Sequence, residues 1–354
     1  MAMRFGILGA GMISRLHGDA LRKSEKAELA AVCDVSPERA RKLADEFNPA
    51  AAIYTDLKDM LKDPTVAAVA IVTPNHLHKD AVVAAAQAGK HVLCEKPPAM
   101  SLEDTDAMIA AAKAAGVKLG IFTQCRVRKP VQALKKAIDE GRFGKVLRAE
   151  AIMKWYRSSE YYKMDAWRSE RKSGAGVTIQ HAFHYIDLLQ YLMGPAASVE
   201  ARMRNLNHAD VKLEDTLDAL IEFRNGATGA VQASTSLWPG SNPKIEVYGT
   251  EGAAIIDGAA FSLWQFKTER PEDAATRAIG NSAQKAAGSD PTALDSIDHQ
   301  MVYDDCVDAV KERREVIIPC GNVRNTLEMA LAMYLSDKEK KRIELPFPKD
   351  AQIW

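Results

Sequence analysis

The chain lacks any apolar run approaching about 18 residues, so no helical membrane span is expected. It lacks an excess of either charge. Lys plus Arg number 47 and Asp plus Glu number 47, with no basic run, which gives no support to nucleic-acid binding. Cysteine is sparse and odd in number: Cys33, Cys94, Cys125, Cys306 and Cys320 are scattered without C-x-x-C spacing. Three of them fall in apolar strand-like segments, and all are expected to be reduced core residues of a cytoplasmic protein. No signal peptide is expected, since the chain enters a strand at once, Met3 to Leu8. Between 267 and 294 large apolar side chains almost disappear. Such a stretch cannot bury enough surface to offset its ordering entropy, and a mobile surface insertion is expected there. No repeat or coiled-coil period is visible.

What is present is a chain of 354 residues, 47% hydrophobic, enough for two domains at about 100–200 residues each. The first ~125 residues alternate strand and helix, the pattern of a parallel sheet with helices on both faces. Phe5 to Leu8, Leu29 to Cys33, Ile53–Tyr54, Val66 to Val72, Val92 to Cys94 and Lys118 to Phe122 read as six strands. The continuous apolar run Val66 to Val72 suits a strand buried on both faces. Ser36–Pro37 opens one helix, a helix from His78 to Ala88 ends at Gly89, and a helix opened by Ser101 ends at Gly116. After Cys125 the pattern changes. A connecting helix (Pro130 to Glu140) precedes a long strand (Lys145 to Tyr156) and a helix (Val177 to Met193). Strand-like runs follow, several divided by Gly-rich turns such as Asn225–Gly226, which argues an antiparallel sheet. Helices near Asp298 to Lys311 and Val323 to Lys338 close the chain. The expected fold is α/β: a doubly wound parallel sheet over residues 1–125, then an α+β domain with a large, mostly antiparallel open sheet over 126–354.

The first βα turn reads Gly9-Ala10-Gly11-Met12-Ile13-Ser14, a G-x-G-x-x-S variant of the dinucleotide fingerprint. The first Gly allows the tight turn and the second lets a pyrophosphate approach the backbone. The helix N-terminus then offers free N–H groups and partial positive charge, and Ser14 is small enough for close helix–strand packing. A Gly-rich turn alone is weak evidence; its place between a strand and a helix strengthens it. Asp34, 20 residues beyond Ser14 at the end of the second strand, suits the adenosine ribose hydroxyls. A carboxylate there repels a 2′-phosphate, so NAD is expected over NADP, with Arg39 moderating the preference. Thr73, Pro74, Asn75 and His78 follow the fourth strand at the ligand-binding edge. His76 and His78 lack a Cys or carboxylate at ligand spacing, and no metal is expected.

Lys96 ends the fifth strand in Glu95-Lys96-Pro97-Pro98, and its ammonium would point into the cofactor crevice. One of the two following X–Pro bonds is a candidate for the cis form. A lone lysine is usually a surface residue; the surrounding motifs overturn that reading here. In the second half, Gln180, His184 and Asp187 recur at spacings of four and three, which places them on one face of a continuous helix.

These motifs, in this order, resemble the glucose–fructose oxidoreductase / inositol dehydrogenase / rhizopine-catabolism (Gfo/Idh/MocA) family. The match runs through Gly9 to Ser14, Thr73-Pro74-Asn75-x-x-His78, Glu95-Lys96-Pro97, Trp167–Arg168, Gly174 through His184 to Asp187, Asp298-His299-Gln300 and Tyr334-Leu335-Ser336. The resemblance implies a Rossmann domain and a second domain whose open sheet mediates oligomerisation, as a homodimer or homotetramer. It implies NAD(P)-dependent hydride transfer to or from a carbinol carbon of a sugar, sugar derivative or cyclitol. Lys96 and His184 fall on the family's catalytic positions, Glu95 and Lys96 near the nicotinamide ribose, and Trp167 and Arg168 on positions that reach the cofactor. One departure stands out: many members carry Asp where this chain has Gln180. A neutral amide cannot favour an imidazolium at His184, so Lys96 is the expected main proton carrier, with His184 orienting the substrate or sharing the proton. Arg126, Tyr156 and His181 are candidate substrate-wall residues, and Arg126, Arg128 and Lys129 form a basic cluster that reads equally as a site for a carboxylate or phosphate and as a solvated surface patch. Two other readings stay open: a catalytically silent NAD-binding regulator, and an NAD-dependent glycosidase of the same family.

Overall fold

Six short apolar segments build the first sheet because each of the five after the first follows a helix that returns the chain in the same direction. The computed structural model describes residues 2–164, 168, 170, 173–174, 176–280, 295–348, 351 and 353–354. Its first elements are β1 (Met3–Leu8), α1 (Ser14–Lys23), β2 (Ala27–Cys33), α2 (Pro37–Phe47), β3 (Ala52–Tyr54), α3 (Leu57–Lys62), β4 (Ala68–Ile71), α4 (His78–Gln87), β5 (His91–Glu95), α5 (Leu102–Ala115) and β6 (Leu119–Phe122). The strands lie parallel in the order β3-β2-β1-β4-β5-β6. Strand order reverses beside β1, which opens the crevice where such sheets bind ligands. All four residues of β4 are fully buried, as a strand covered on both faces requires. The helix boundaries follow local chemistry. Ser36 accepts from Arg39 N with Pro37 at the first position, Ser101 accepts from Asp104 N, and Gly116 ends α5 in the left-handed region.

The second sheet forms from the later strands. α6 (Lys129–Asp139) leads to β7 (Val146–Lys154), α7 (Ser159–Lys163), α8 (Val177–Gln180) and α9 (Phe183–Met193). Then come β8 (Ala196–Arg204), β9 (Thr216–Phe223), β10 (Thr228–Ser234), β11 (Lys244–Gly249), β12 (Gly252–Asp257), β13 (Ala260–Phe266) and α10 (Asp273–Arg277). α11 (Ile297–Lys311), α12 (Cys320–Glu339) and β14 (Ile343–Glu344) complete the chain. The sheet order is β13-β12-β11-β7-β10-β9-β8-β14, antiparallel except for the β7/β10 pair. β9 alternates strictly, with Leu217, Ala219, Ile221 and Phe223 buried and Asp218, Leu220 and Glu222 exposed. This is the signature of a sheet with one face toward a core, and α9 packs against β7.

Three expectations need correction. The chain divides into two units, Met1–Gln124 with Leu294–Arg324, and Cys125–Ala293 with Asn325–Trp354. The second half is therefore not one domain: α11 returns to the first unit, where Tyr303 packs edge-on against Phe5 of β1. The helix expected from Val177 to Met193 is two helices, broken at His181–Ala182. Part of the polar stretch after 267 is also tied down. Asp273 is fully buried, meets Arg142 through both oxygens and accepts from Trp264 Nε1. A charged network, not apolar packing, orders that stretch, and apolar content alone could not reveal it. The remainder of the expected insertion, 281–294, lies outside the described residues. Among the described residues no helix is long and apolar enough to cross a membrane, and all five cysteines are buried thiols.

Candidate functional site

The cradle for a dinucleotide is built at the ends of β1, β2 and β4. Gly9 adopts φ +101°, and a Cβ there would lie 2.6 Å from the Val72 carbonyl oxygen, so both conformation and space demand glycine. Gly9 N donates to Cys33 O at 2.8 Å, and Ala10 N donates to Asp34 Oδ2 at 2.8 Å. The turn is thus locked to the end of β2. Gly11 differs: nothing stands within 4 Å of where its Cβ would be. The space above it is open, which suits an approaching phosphate. Met12 is exposed and Ile13 half-buried beside it. Ser14 is fully buried and its hydroxyl donates to Gly11 O at 2.5 Å. One turn later α1 also comes close to α2. A Cβ on Gly18 would lie 2.3 Å from the Phe47 ring, a glycine the motif does not mark.

Asp34 is nearly buried. Its Oδ1 accepts from Ser36 N at 2.8 Å and from Arg39 Nη2 at 2.7 Å. Burial pushes the carboxyl up, and the Ser36 and Ala10 N–H groups with Arg39 more than offset this, holding it below its ordinary value. Arg39 is therefore spoken for by the carboxylate it was expected to moderate. Thr73, just past β4, carries a buried hydroxyl without a hydrogen-bond partner, and Asn75 is nearly buried beside it. An orphaned hydroxyl, an open glycine and helix N–H groups at one sheet edge fit a dinucleotide.

Lys96 follows β5 directly and is half-buried, and the Lys96–Pro97 bond is cis. His78, fully buried, sits between two carbonyls, with Nδ1 2.8 Å from Pro97 O and Nε2 3.0 Å from Thr73 O. Burial lowers its pKa below the ordinary value despite these contacts. His78 thus ties the lysine turn to the end of β4, which corrects the expectation that it contacts the cofactor. Pro74 lies between them at the start of the Asn75 turn.

Glu95 is also placed otherwise than expected. Its Oε1 lies 3.1 Å from His17 Nε2, and its Oε2 accepts from Lys96 N at 3.1 Å. His17 Nδ1 lies 2.9 Å from the Tyr303 hydroxyl. The carboxylate is committed inside the unit and not to a ribose. Sequence reasoning missed His17 and Tyr303 because they stand 286 residues apart. The Asp298-His299-Gln300 segment was the one available signal.

The second unit gathers aromatic rings around the remaining candidates. Gln180 Nε2 donates to Tyr161 Oη at 3.3 Å, and Arg168 Nη1 donates to the same oxygen at 3.0 Å. The Arg168 guanidinium also lies 4.9 Å from the Tyr161 ring centroid. His181 is buried with its ring 5.5 Å from Tyr161. His184 is half-buried at the second position of α9. Tyr156, half-buried, meets the exposed Trp238 edge-on at 5.4 Å. Trp167 lies outside the described residues. The helix break separates Gln180 from Asp187, so the shared face does not form. Arg126 is corrected as well. It is 2% exposed and grips the fully buried Asp187 through Nε and Nη2, both at 2.6 Å, which removes it from a substrate wall.

Comparison with known proteins gives the family. Residues 3–123 match the model of the oxidoreductase family with an NAD-binding Rossmann fold, and residues 131–255 match the GFO/IDH/MocA C-terminal domain. A 1,5-anhydro-D-fructose reductase of Ensifer adhaerens is 33% identical over 256 residues, 71% of this chain and 75% of the relative. A myo-inositol 2-dehydrogenase of Thermotoga maritima is 30% identical over 264 residues, 72% and 75%. Among solved structures, the WlbA dehydrogenase from Bordetella pertussis, in complex with NADH and UDP-GlcNAcA, superposes with a TM-score of 0.86 at 30% identity, covering 98% of this chain and 100% of that one. The chain belongs to the Gfo/Idh/MocA oxidoreductase family. It is an NAD(P)-dependent oxidoreductase of CH–OH groups with an NAD(H)-binding Rossmann domain.

Proposed function

We propose that the protein transfers hydride between NAD(H) and a carbinol carbon of a sugar, sugar derivative or cyclitol, with Lys96 carrying the hydroxyl proton. The observation that supports this best is local to the first unit. Lys96 follows the carboxyl end of β5, on a turn held by His78, in the sheet that bears the Gly9–Gly11 cradle. Bound NAD supplies the hydride acceptor. The neutral Lys96 amine takes the hydroxyl proton as the C–H hydride leaves, so alcohol becomes ketone and the amine becomes ammonium. In reduction the ammonium returns the proton. His184 is proposed to orient the hydroxyl or share that proton, as the family resemblance implies. NAD is preferred over NADP because the Asp34 carboxylate repels a 2′-phosphate and Arg39 is already paired with it. The open sheet of the second unit is proposed to join copies of the chain in a homodimer or homotetramer.

The test is NADH formation against a panel of sugars, cyclitols and sugar acids, run with both cofactors. Lys96→Ala is expected to lower kcat on the best substrate by about 10²-fold or more, with NADH binding retained. Near wild-type turnover in that variant removes Lys96 from the mechanism. A higher kcat/KM with NADP removes Asp34 from cofactor selection.

A further inference from the structure

His17 of α1, Glu95 of β5, and His299 and Tyr303 of α11 meet in the interior of the first unit, each at most 8% exposed. Burial holds the Tyr303 hydroxyl protonated and lowers the pKa of His17, so that ring is a neutral imidazole with one donor and one acceptor. The directions follow. Tyr303 O–H donates to His17 Nδ1 at 2.9 Å, His17 Nε2–H donates to Glu95 Oε1 at 3.1 Å, and Lys96 N–H donates to Glu95 Oε2 at 3.1 Å. Burial pushes the Glu95 carboxyl up, but His17 and His299 hold it well below the ordinary range, so it remains an acceptor. His299 stands beside this chain. Its Nε2 is 3.7 Å from Glu95 Oε1, and both its ring nitrogens are buried without hydrogen-bond partners.

We infer that Tyr303, His17 and Glu95 form a buried positioning network for Lys96, closed by the late helix α11 and flanked by His299. The inference rests on Lys96 being the base. A buried carboxylate is costly, and apolar replacements of buried ionic groups are often neutral or stabilising. Here the costly group immediately precedes the reactive lysine, and one of its oxygens binds that lysine's backbone. Every partner along the chain has matched donor and acceptor, which fixes geometry. A metal is the competing occupant, since His17, Glu95 and His299 bring ligand atoms within 4.8 Å of one another. Closed structural zinc sites take four ligands. Among the described residues this group stops at three, and its wall is the Phe122 ring, 4.6 Å from His17 and 5.5 Å from His299.

The experiment compares kcat with the NADH dissociation constant in the full-length protein. Glu95→Gln is expected to lower kcat about 10–100-fold, the scale of a misplaced reactive group, while NADH affinity stays within about twofold. His17→Gln, whose amide can replace the Nε2 donor, should stay within about fivefold of wild type, whereas His17→Leu should fall as far as Glu95→Gln. Tyr303→Phe deletes one oxygen and should lower kcat about threefold to tenfold. It decides the matter if a charge-removing variant fails to fold. Wild-type kcat in both His17→Leu and Tyr303→Phe overturns the inference, as does equal loss in His17→Gln and His17→Leu. A stoichiometric divalent metal in the purified protein overturns it too. Lys96→Ala measured alongside separates the failures. If it is inactive while the network variants run at full rate, only this inference falls. If it turns over normally, the proposed function falls as well.

Discussion

Arg126 and Asp187 in the second unit meet as a bidentate ion pair, both almost completely buried, with Thr326 Oγ1 donating to the same carboxylate at 2.8 Å. Glu95 in the first unit is buried to a similar degree, but its hydrogen bonds run on to the backbone of Lys96. In the first case each charge answers the other and ties Cys125–Val127 to α9 and α12. In the second the carboxylate faces neutral donors, and the order it imposes reaches a reactive side chain. The difference teaches where a buried charge serves the fold and where it serves chemistry: removing it should cost stability in one case and turnover in the other.

The largest expected effect tests the closed pair. Asp187→Asn removes the carboxylate charge that Arg126 Nε and Nη2 both grip in the buried interior, which should cost about 3–5 kcal/mol of stability. Urea unfolding at neutral pH measures it. A loss below about 1 kcal/mol would mean that water or another acid takes over the guanidinium, and the contrast with Glu95 would blur.

A middle effect comes from Asp215, a second closed site in the same unit. Its carboxylate accepts from Leu206 N and Asn207 N at 2.9 Å and faces His208 Nδ1 at 2.9 Å. Burial raises its carboxyl, but these backbone and side-chain hydrogen bonds bring it down to about 2 from 3.8. A depressed acid stabilises the folded state above its unfolded value and loses that contribution as pH falls toward the folded one. The gap corresponds to about 2 kcal/mol, present above roughly pH 5 and lost between there and roughly pH 2. The stability difference between wild type and Asp215→Asn should therefore shrink by about this amount across that window. A difference independent of pH would show that geometry, not charge, makes the site.

The contrast also marks what could be read in the sequence. Strand–helix alternation, Ser and Gly at helix ends and the Gly9–Ser14 turn made the parallel sheet legible, because they are local signals. The Asn225–Gly226 turn likewise exposed the β9–β10 hairpin. Long-range polar pairing was not legible. Asp273 with Arg142, Asp187 with Arg126, and Glu95 with His17 and Tyr303 join residues far apart in sequence, and no periodicity encodes them. That is why Arg126 read as a substrate-wall residue, Glu95 as a cofactor contact and 267–280 as loose. The break at His181–Ala182 escaped for another reason: the apolar spacing of Ile179, Phe183 and Ile186 fits one helix as well as two.

The smallest expected change in stability sharpens the comparison at the nucleotide turn, where two glycines sit two residues apart. Gly9→Ala places a Cβ 2.6 Å from the Val72 carbonyl at φ +101°, so it should lower stability by about 1–3 kcal/mol. Gly11 has no positive φ and nothing within 4 Å of its Cβ position. Gly11→Ala should therefore change stability by less than about 0.5 kcal/mol, or raise it slightly by narrowing the unfolded ensemble. Its cost should appear only when the cofactor binds, because the new methyl occupies the space through which a pyrophosphate would approach the backbone. Thermal unfolding with and without NADH separates the two effects. The expected result is an unchanged melting temperature without cofactor and a smaller upward shift with it than in wild type. An equal NADH-induced shift in Gly11→Ala would place the pyrophosphate elsewhere. A large loss of stability without cofactor would show instead that Gly11, like Gly9, is required by the turn itself.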